Sequence, residues 1–167
     1  YRGEITNWKD VDGNNKEITL YGRQTTSGTY IFFRDNVVNG DYSTKMRNLE
    51  GNTAIVDSIS LDESGIGYIG IGYVTDKIKV LSIAKDNKSE YTSPIKEENI
   101  ISGKYPITRP LYQYTKNVPE KNSPSHMLIS FELNSTGQET VRKTGFYPIT
   151  KEDSKQNNEI LNKIGWS

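Results

Sequence analysis

The feature that most constrains this chain is a strand-like run that passes into a helix-like run through a polar, glycine-bearing loop. Glu17, Ile18, Thr19, Leu20 and Tyr21 alternate as a strand does. Residues 22–29 are mostly polar, and residues 30–38 then carry Tyr30, Ile31, Phe32, Phe33, Val37 and Val38, which suit a helix packed on a sheet. The pattern recurs downstream. A second helix is expected over 53–60, with Ala54, Ile55 and Ile59 at helical spacing, then a strand over 65–70 and a short strand over 77–81. Strands alternating with helices predict an α/β fold, an open mixed sheet flanked by helices.

The remainder is less sheet-like. Asp12, Gly13, Asn14 and Asn15 form a turn signal ahead of the first strand, and 96–102 reads as a short helix. Residues 105–114 look extended, but Pro106 and Pro110 argue against a central, fully paired strand. A polar connector over 117–124 leads to helices expected at 125–133, 137–143 and 151–164, a separate layer.

Composition removes several function classes. The 21 basic and 21 acidic side chains cancel, so no net field draws in nucleic acid or an anionic membrane. There is no cysteine, hence no disulfide, thiolate metal site or cysteine nucleophile. No stretch approaches the roughly 18 apolar residues of a membrane span. The sequence opens at Tyr1 rather than Met, so the lack of a leader is uninformative. Eleven Tyr, four Phe and two Trp supply the large apolar surfaces of a folded chain.

The segment richest in chemistry is 23–29, which sets Arg23, several hydroxyls and Gly28 at an expected helix start. The first turn of a helix offers unpaired N–H groups and a partial positive charge, and a glycine there admits an anion close to the main chain. Arg23 adds a two-pronged contact for a tetrahedral oxyanion. Bonds to charged groups contribute about 1.5–3 kcal/mol each against about 0.3–1 kcal/mol for the helix-end field, so directed bonds dominate. On spacing alone the plainer reading stands beside this one: Ser27 or Thr26 only caps the helix and Arg23 is solvated.

Other motifs fall away. The loop lacks the lysine of a nucleotide-cradling P-loop. Gly65, Gly67 and Gly70 match the letters of a dinucleotide fingerprint, but a β-like pattern continues after them instead of a helix. His126 is the only histidine and reads as a surface residue. Ser27 lacks an evident base and the G-x-S-x-G context, so no catalytic residue, metal or cofactor is assigned.

Residues 1–8, the 23–29 loop, Gly65 to Gly70, 102–112, Gly137-Gln138 and Gly145 to Pro148, in that order, resemble the phosphate-binding proteins of bacterial and archaeal phosphate ABC importers. That resemblance implies a periplasmic-binding-protein-like (type II) clamp closing on inorganic phosphate between two lobes. Residues 1–112 would form the second lobe, and 113–167 a C-terminal helical segment returning toward a first lobe outside this sequence. By position Arg23 corresponds to the family's phosphate-binding arginine, and Ser27, Gly28 and Thr29 to its Ser-Gly-Thr. Thr25 stands where some members carry an acidic residue, which bears on how Arg23 is oriented. The resemblance further implies a non-enzymatic, extracytoplasmic protein, periplasmic or a cell-surface lipoprotein, whose partner is a membrane ABC permease. A receptor for sulfate or molybdate, a phosphatase on the same scaffold with Ser27 or Thr29 near the phosphoryl group, and a sensing domain are the alternatives.

Overall fold

The structure, a computed structural model, describes residues 1–166. The chain divides into two compact units, Tyr1–Ser82 and Ile83–Ser167.

The first unit is built on a three-stranded sheet in the order β2-β1-β3, with β1 at Thr19–Arg23, β2 at Arg47–Leu49 and β3 at Gly65–Gly67. Both pairings are parallel, Tyr21 lying opposite Arg47 on one side and Gly67 on the other. The expected α/β class holds. Among the described residues, antiparallel pairing is limited to isolated bridges, Asn7 with Glu17 in this unit and Ile83 with Thr92 in the other. Parallel neighbours need crossovers, supplied by α1 (Gly28–Phe33) and α2 (Asn52–Ser60).

The two helices cover opposite faces. A side chain at Gly67 would come within 2.6 Å of Ile59 and 2.8 Å of Ile55 on α2, whereas the next residue, Tyr68, stacks on Phe33 of α1 with ring centroids 4.2 Å apart. Successive residues of extended chain point to opposite faces. Ile55 is fully buried, and Tyr21, Phe33, Val38, Met46, Val56 and Tyr68 complete the core. After Phe33 the helix widens into a π turn over Arg34–Val38 and closes at Asn39, whose positive φ of 50° asparagine tolerates.

Two expectations are corrected and one strand was missed. The strand expected over 65–70 pairs only at Gly65–Gly67, followed by a short 3-10 turn, Ile71–Tyr73. The run 77–81 alternates like a strand but forms no strand, having no partner among the described residues. β2 was not expected at all.

The second unit is helical: α3 (Glu97–Ile101), α4 (Pro124–Leu133), α5 (Ser135–Lys143) and α6 (Lys151–Lys163), close to the expected spans. Local signals set their starts. Ser123 accepts from the His126 amide ahead of Pro124, Asn134 accepts from Gly137, and Thr150 with Asp153 forms a reciprocal capping box. The segment 105–114 carries no strand, as its prolines suggested. No described helix is long and apolar enough to cross a membrane.

Candidate functional site

The loop 23–29 lies at the carboxyl end of the central strand. β1 ends at Arg23 and β2 at Leu49, and each is soon followed by a helix start, Gly28 and Asn52. In open α/β sheets this edge is where ligands collect, because helix N-termini and loop amides face it. Gln24, Thr25, Thr26 and Gly28 are exposed, while Arg23, Ser27 and Thr29 are half-buried.

Backbone bonding explains why the strand stops here. The Gln24 amide donates to Leu49 at 3.2 Å, on the β2 side. Alternate amides of a strand point to opposite sides, so the Arg23 amide faces β3, where it donates to the Tyr68 hydroxyl at 3.2 Å instead of extending the ladder. The Tyr68 ring stacks on that of Tyr42, centroids 6.2 Å apart, and Tyr42 donates to the Tyr30 carbonyl of α1 at 2.9 Å. Burial first, then the neighbouring Tyr68 hydroxyl, pushes the Tyr42 hydroxyl well above the usual phenol range. Burial first, and the Tyr68 hydroxyl second, does the same to Tyr1. Both remain neutral donors. Gly22 leaves the room that this arrangement needs, since a Cβ there would sit 2.6 Å from the Met46 sulfur and 3.0 Å from the Tyr68 oxygen.

The Arg23 side chain is anchored at one end only. Its Nη1 donates to Oδ1 of Asn52, the first residue of α2, at 3.2 Å. The Gly70 amide, beyond β3, donates to the same oxygen at 3.4 Å. Arg23 Nε is buried with no hydrogen-bond partner among the described residues. Ser27 is the N-cap of α1: its hydroxyl accepts from the Thr29 amide at 3.2 Å, and its amide donates to Gln24 at 2.9 Å. The capping role is therefore real, but the plainer reading of Arg23 as a solvated surface group does not describe it. Arg23, Ser27, Gly28 and Thr29 lie together on one loop, joined by Asn52, Tyr68 and Gly70, which the sequence reading did not name. Asn52 follows Gly51 at the start of a periodic helix, a signal for a helix start rather than for a partner of Arg23.

β3 is followed by no helix of the dinucleotide type. His126 lies in the second unit, its ring 4.4 Å edge-on to Trp166. Among the described residues no group of three or more His, Cys, Asp or Glu could hold a metal. A cleft of about 440 Å³ opens elsewhere, lined by Thr19, Lys45, Arg47 and Ser64 from the amino ends of the strands. Of its cations, Lys16 pairs with Glu63, Lys45 pairs with Glu17, and Arg47 donates to the Tyr21 hydroxyl.

Comparison with known proteins agrees with this architecture. The PBP superfamily domain matches residues 1–131. The phosphate-binding protein PstS of Pseudomonas aeruginosa is 32% identical over 153 residues, covering 87% of this chain and 47% of that protein. PstS of Staphylococcus saprophyticus is 33% identical over 171 residues, 98% of this chain and 52% of its own length. The chain thus spans about half the length of these relatives. A Clostridium perfringens protein assigned as the substrate-binding protein of a phosphate ABC transporter, solved with phosphate bound, superposes with a TM-score of 0.74 at 28% identity over 90% of this chain and 59% of that one. PstS of Borrelia burgdorferi superposes at 0.64 with 30% identity, over 90% and 60%. With its α/β sheet, its loop at the carboxyl edge and a match over most of its length, this chain belongs to the PBP superfamily domain family.

Proposed function

We propose that this chain is part of an extracytoplasmic solute-binding protein that grips inorganic phosphate through Arg23, Ser27, Gly28 and Thr29 and hands it to a membrane ABC permease. The observation that carries this reading is the state of Arg23: a guanidinium at the carboxyl edge of the sheet, fixed by Asn52 and with a buried, unpartnered Nε, beside a helix start. A tetrahedral oxyanion would take the directed bonds that this array offers. A preorganised set of neutral donors with one cation binds such an ion without a large net charge. The relatives named for phosphate support the choice of ion.

Residues 1–112 are read as one lobe of the clamp and 113–167 as a segment serving the other lobe. That other lobe would come from the part of the relatives' length that this chain does not span. No catalytic step is assigned. Ser27 caps α1 by accepting from the Thr29 amide, and the reading has the ion leave unchanged. The test is calorimetric titration of the full-length protein with phosphate, sulfate and molybdate, beside an assay for turnover of a chromogenic phosphate ester. Phosphate-selective binding without turnover is expected. Preference for sulfate or molybdate would move the protein to another oxyanion, and turnover abolished by Ser27→Ala would make it a phosphatase.

A further inference from the structure

We infer that Asn52 is a positioning residue for the oxyanion site, holding the Arg23 guanidinium at the angle at which its remaining N–H groups meet the ion. The inference rests on the phosphate-binding reading and adds to it a residue from outside the 23–29 loop.

Three observations converge on Asn52. Its Oδ1 accepts from Arg23 Nη1 at 3.2 Å and from the Gly70 amide at 3.4 Å, so one atom ties the end of β1 to the loop after β3. Its backbone is fixed, because it opens α2, whose Ile55 and Val56 are buried one turn on. Its side chain is half-buried. An amide oxygen suits this task chemically. It accepts from a guanidinium without neutralising it, whereas a carboxylate would form an ion pair and offset the charge offered to an incoming anion. Both lone pairs of Oδ1 are engaged, which leaves the oxygen none to present to the ion. The Arg23 main chain is held separately, by the Tyr68 hydroxyl. Backbone and guanidinium thus have different anchors, and only the second is removed with Asn52. Without it a long side chain recovers rotamer freedom that binding must then remove.

The test uses the full-length protein with Asn52→Ala, Asn52→Asp and Arg23→Ala variants. It reads phosphate affinity by calorimetry and the order of the Arg23 Nε–H by ¹⁵N relaxation in the ligand-free protein, the resonance being identified by its loss in Arg23→Ala. Asn52→Ala is expected to weaken phosphate roughly ten- to a hundred-fold, the equivalent of one charge-assisted bond, and to lower the order of Arg23 Nε–H. Asn52→Asp keeps an acceptor, so Arg23 stays ordered while phosphate affinity still falls. That split is one that a merely structural role would not produce. If Arg23→Ala abolishes binding while Asn52→Ala stays within about twofold of the natural protein, or leaves Arg23 equally ordered, the positioning role is overturned and the phosphate site stands. Unchanged phosphate binding in Arg23→Ala overturns both.

Discussion

The two units are held together by different means. Among the described residues, every buried core hydrophobic residue belongs to Tyr1–Ser82, gathered where α1 and α2 sandwich a short parallel sheet. In Ile83–Ser167 no residue of α3, α4 or α6 is buried, and Tyr91, Leu111, Tyr112, Tyr114, Met127, Leu128 and Ile160 are exposed. Its order rests on caps and single polar ties: the Thr150–Asp153 box, Tyr147 donating to the Pro94 carbonyl at 2.6 Å, and Arg142 paired with Glu97. The lesson is about where a binding loop can be precise. Arg23 and Ser27 emerge from the unit whose core fixes the ends of its strands. A loop on the second unit would inherit only local anchoring.

The largest expected effect tests the first half of that contrast. Ile55→Ala removes a side chain with no exposed surface and should cost about 2–5 kcal/mol in denaturant unfolding. Ile160→Ala, at 57% exposed in the second unit, should cost less than about 0.5 kcal/mol. Similar losses at the two positions would break the comparison. Next comes Gly137, where an added Cβ would lie 2.0 Å from the Phe131 carbonyl oxygen and 2.8 Å from Glu132 Cα. Backbone cannot yield as a side-chain tip can, so Gly137→Ala should destabilise by about 1–3 kcal/mol and loosen the α4–α5 corner, seen as faster amide exchange there. Thr150→Ala removes the capping box and should cost about 0.5–2 kcal/mol, with helical signal lost from α6 first.

The smallest effect is a pH dependence. Bonds from the Ser64 hydroxyl first, then the Ser64 amide, Thr19 and Tyr21, lower the Asp62 carboxyl to about 2 from its ordinary 3.8. A carboxyl depressed in the folded state contributes stability above its unfolded pKa and loses it as pH falls through the folded one. Between about pH 4 and pH 2, therefore, the natural protein should lose somewhat more stability than Asp62→Asn. The difference should be under about 1 kcal/mol, because the group is solvent-screened. A steeper acid loss in Asp62→Asn would reverse the assignment.

How far the sequence could be read follows the same division. Helix α2 was legible from its apolar spacing at Ala54, Ile55 and Ile59, and α4, α5 and α6 begin at caps that are local, Ser123, Asn134 and Thr150. The strand–loop–helix passage through Arg23 was legible because Leu20, Tyr21 and Phe33 change period there. β2 was not: three residues, Arg47, Asn48 and Leu49, two of them exposed, carry no alternation, and only the edge of β1 makes them a strand. The overextended β3 has a related cause, for after Gly67 the Tyr68 hydroxyl, not a carbonyl, meets the Arg23 amide. Arg23 and its loop were singled out as a chemical pattern and a resemblance. Asn52 was hidden because its role depends on 29 residues of chain folding back to bring its amide to a guanidinium.

The most direct test of the central claim is phosphate titration of the full-length protein beside its Arg23→Ala variant, with thermal unfolding as the control. The account predicts a loss of roughly a hundred-fold or more in phosphate affinity, two or more charge-assisted bonds removed, with the unfolding temperature little changed. Phosphate bound equally well without the Arg23 side chain would contradict it.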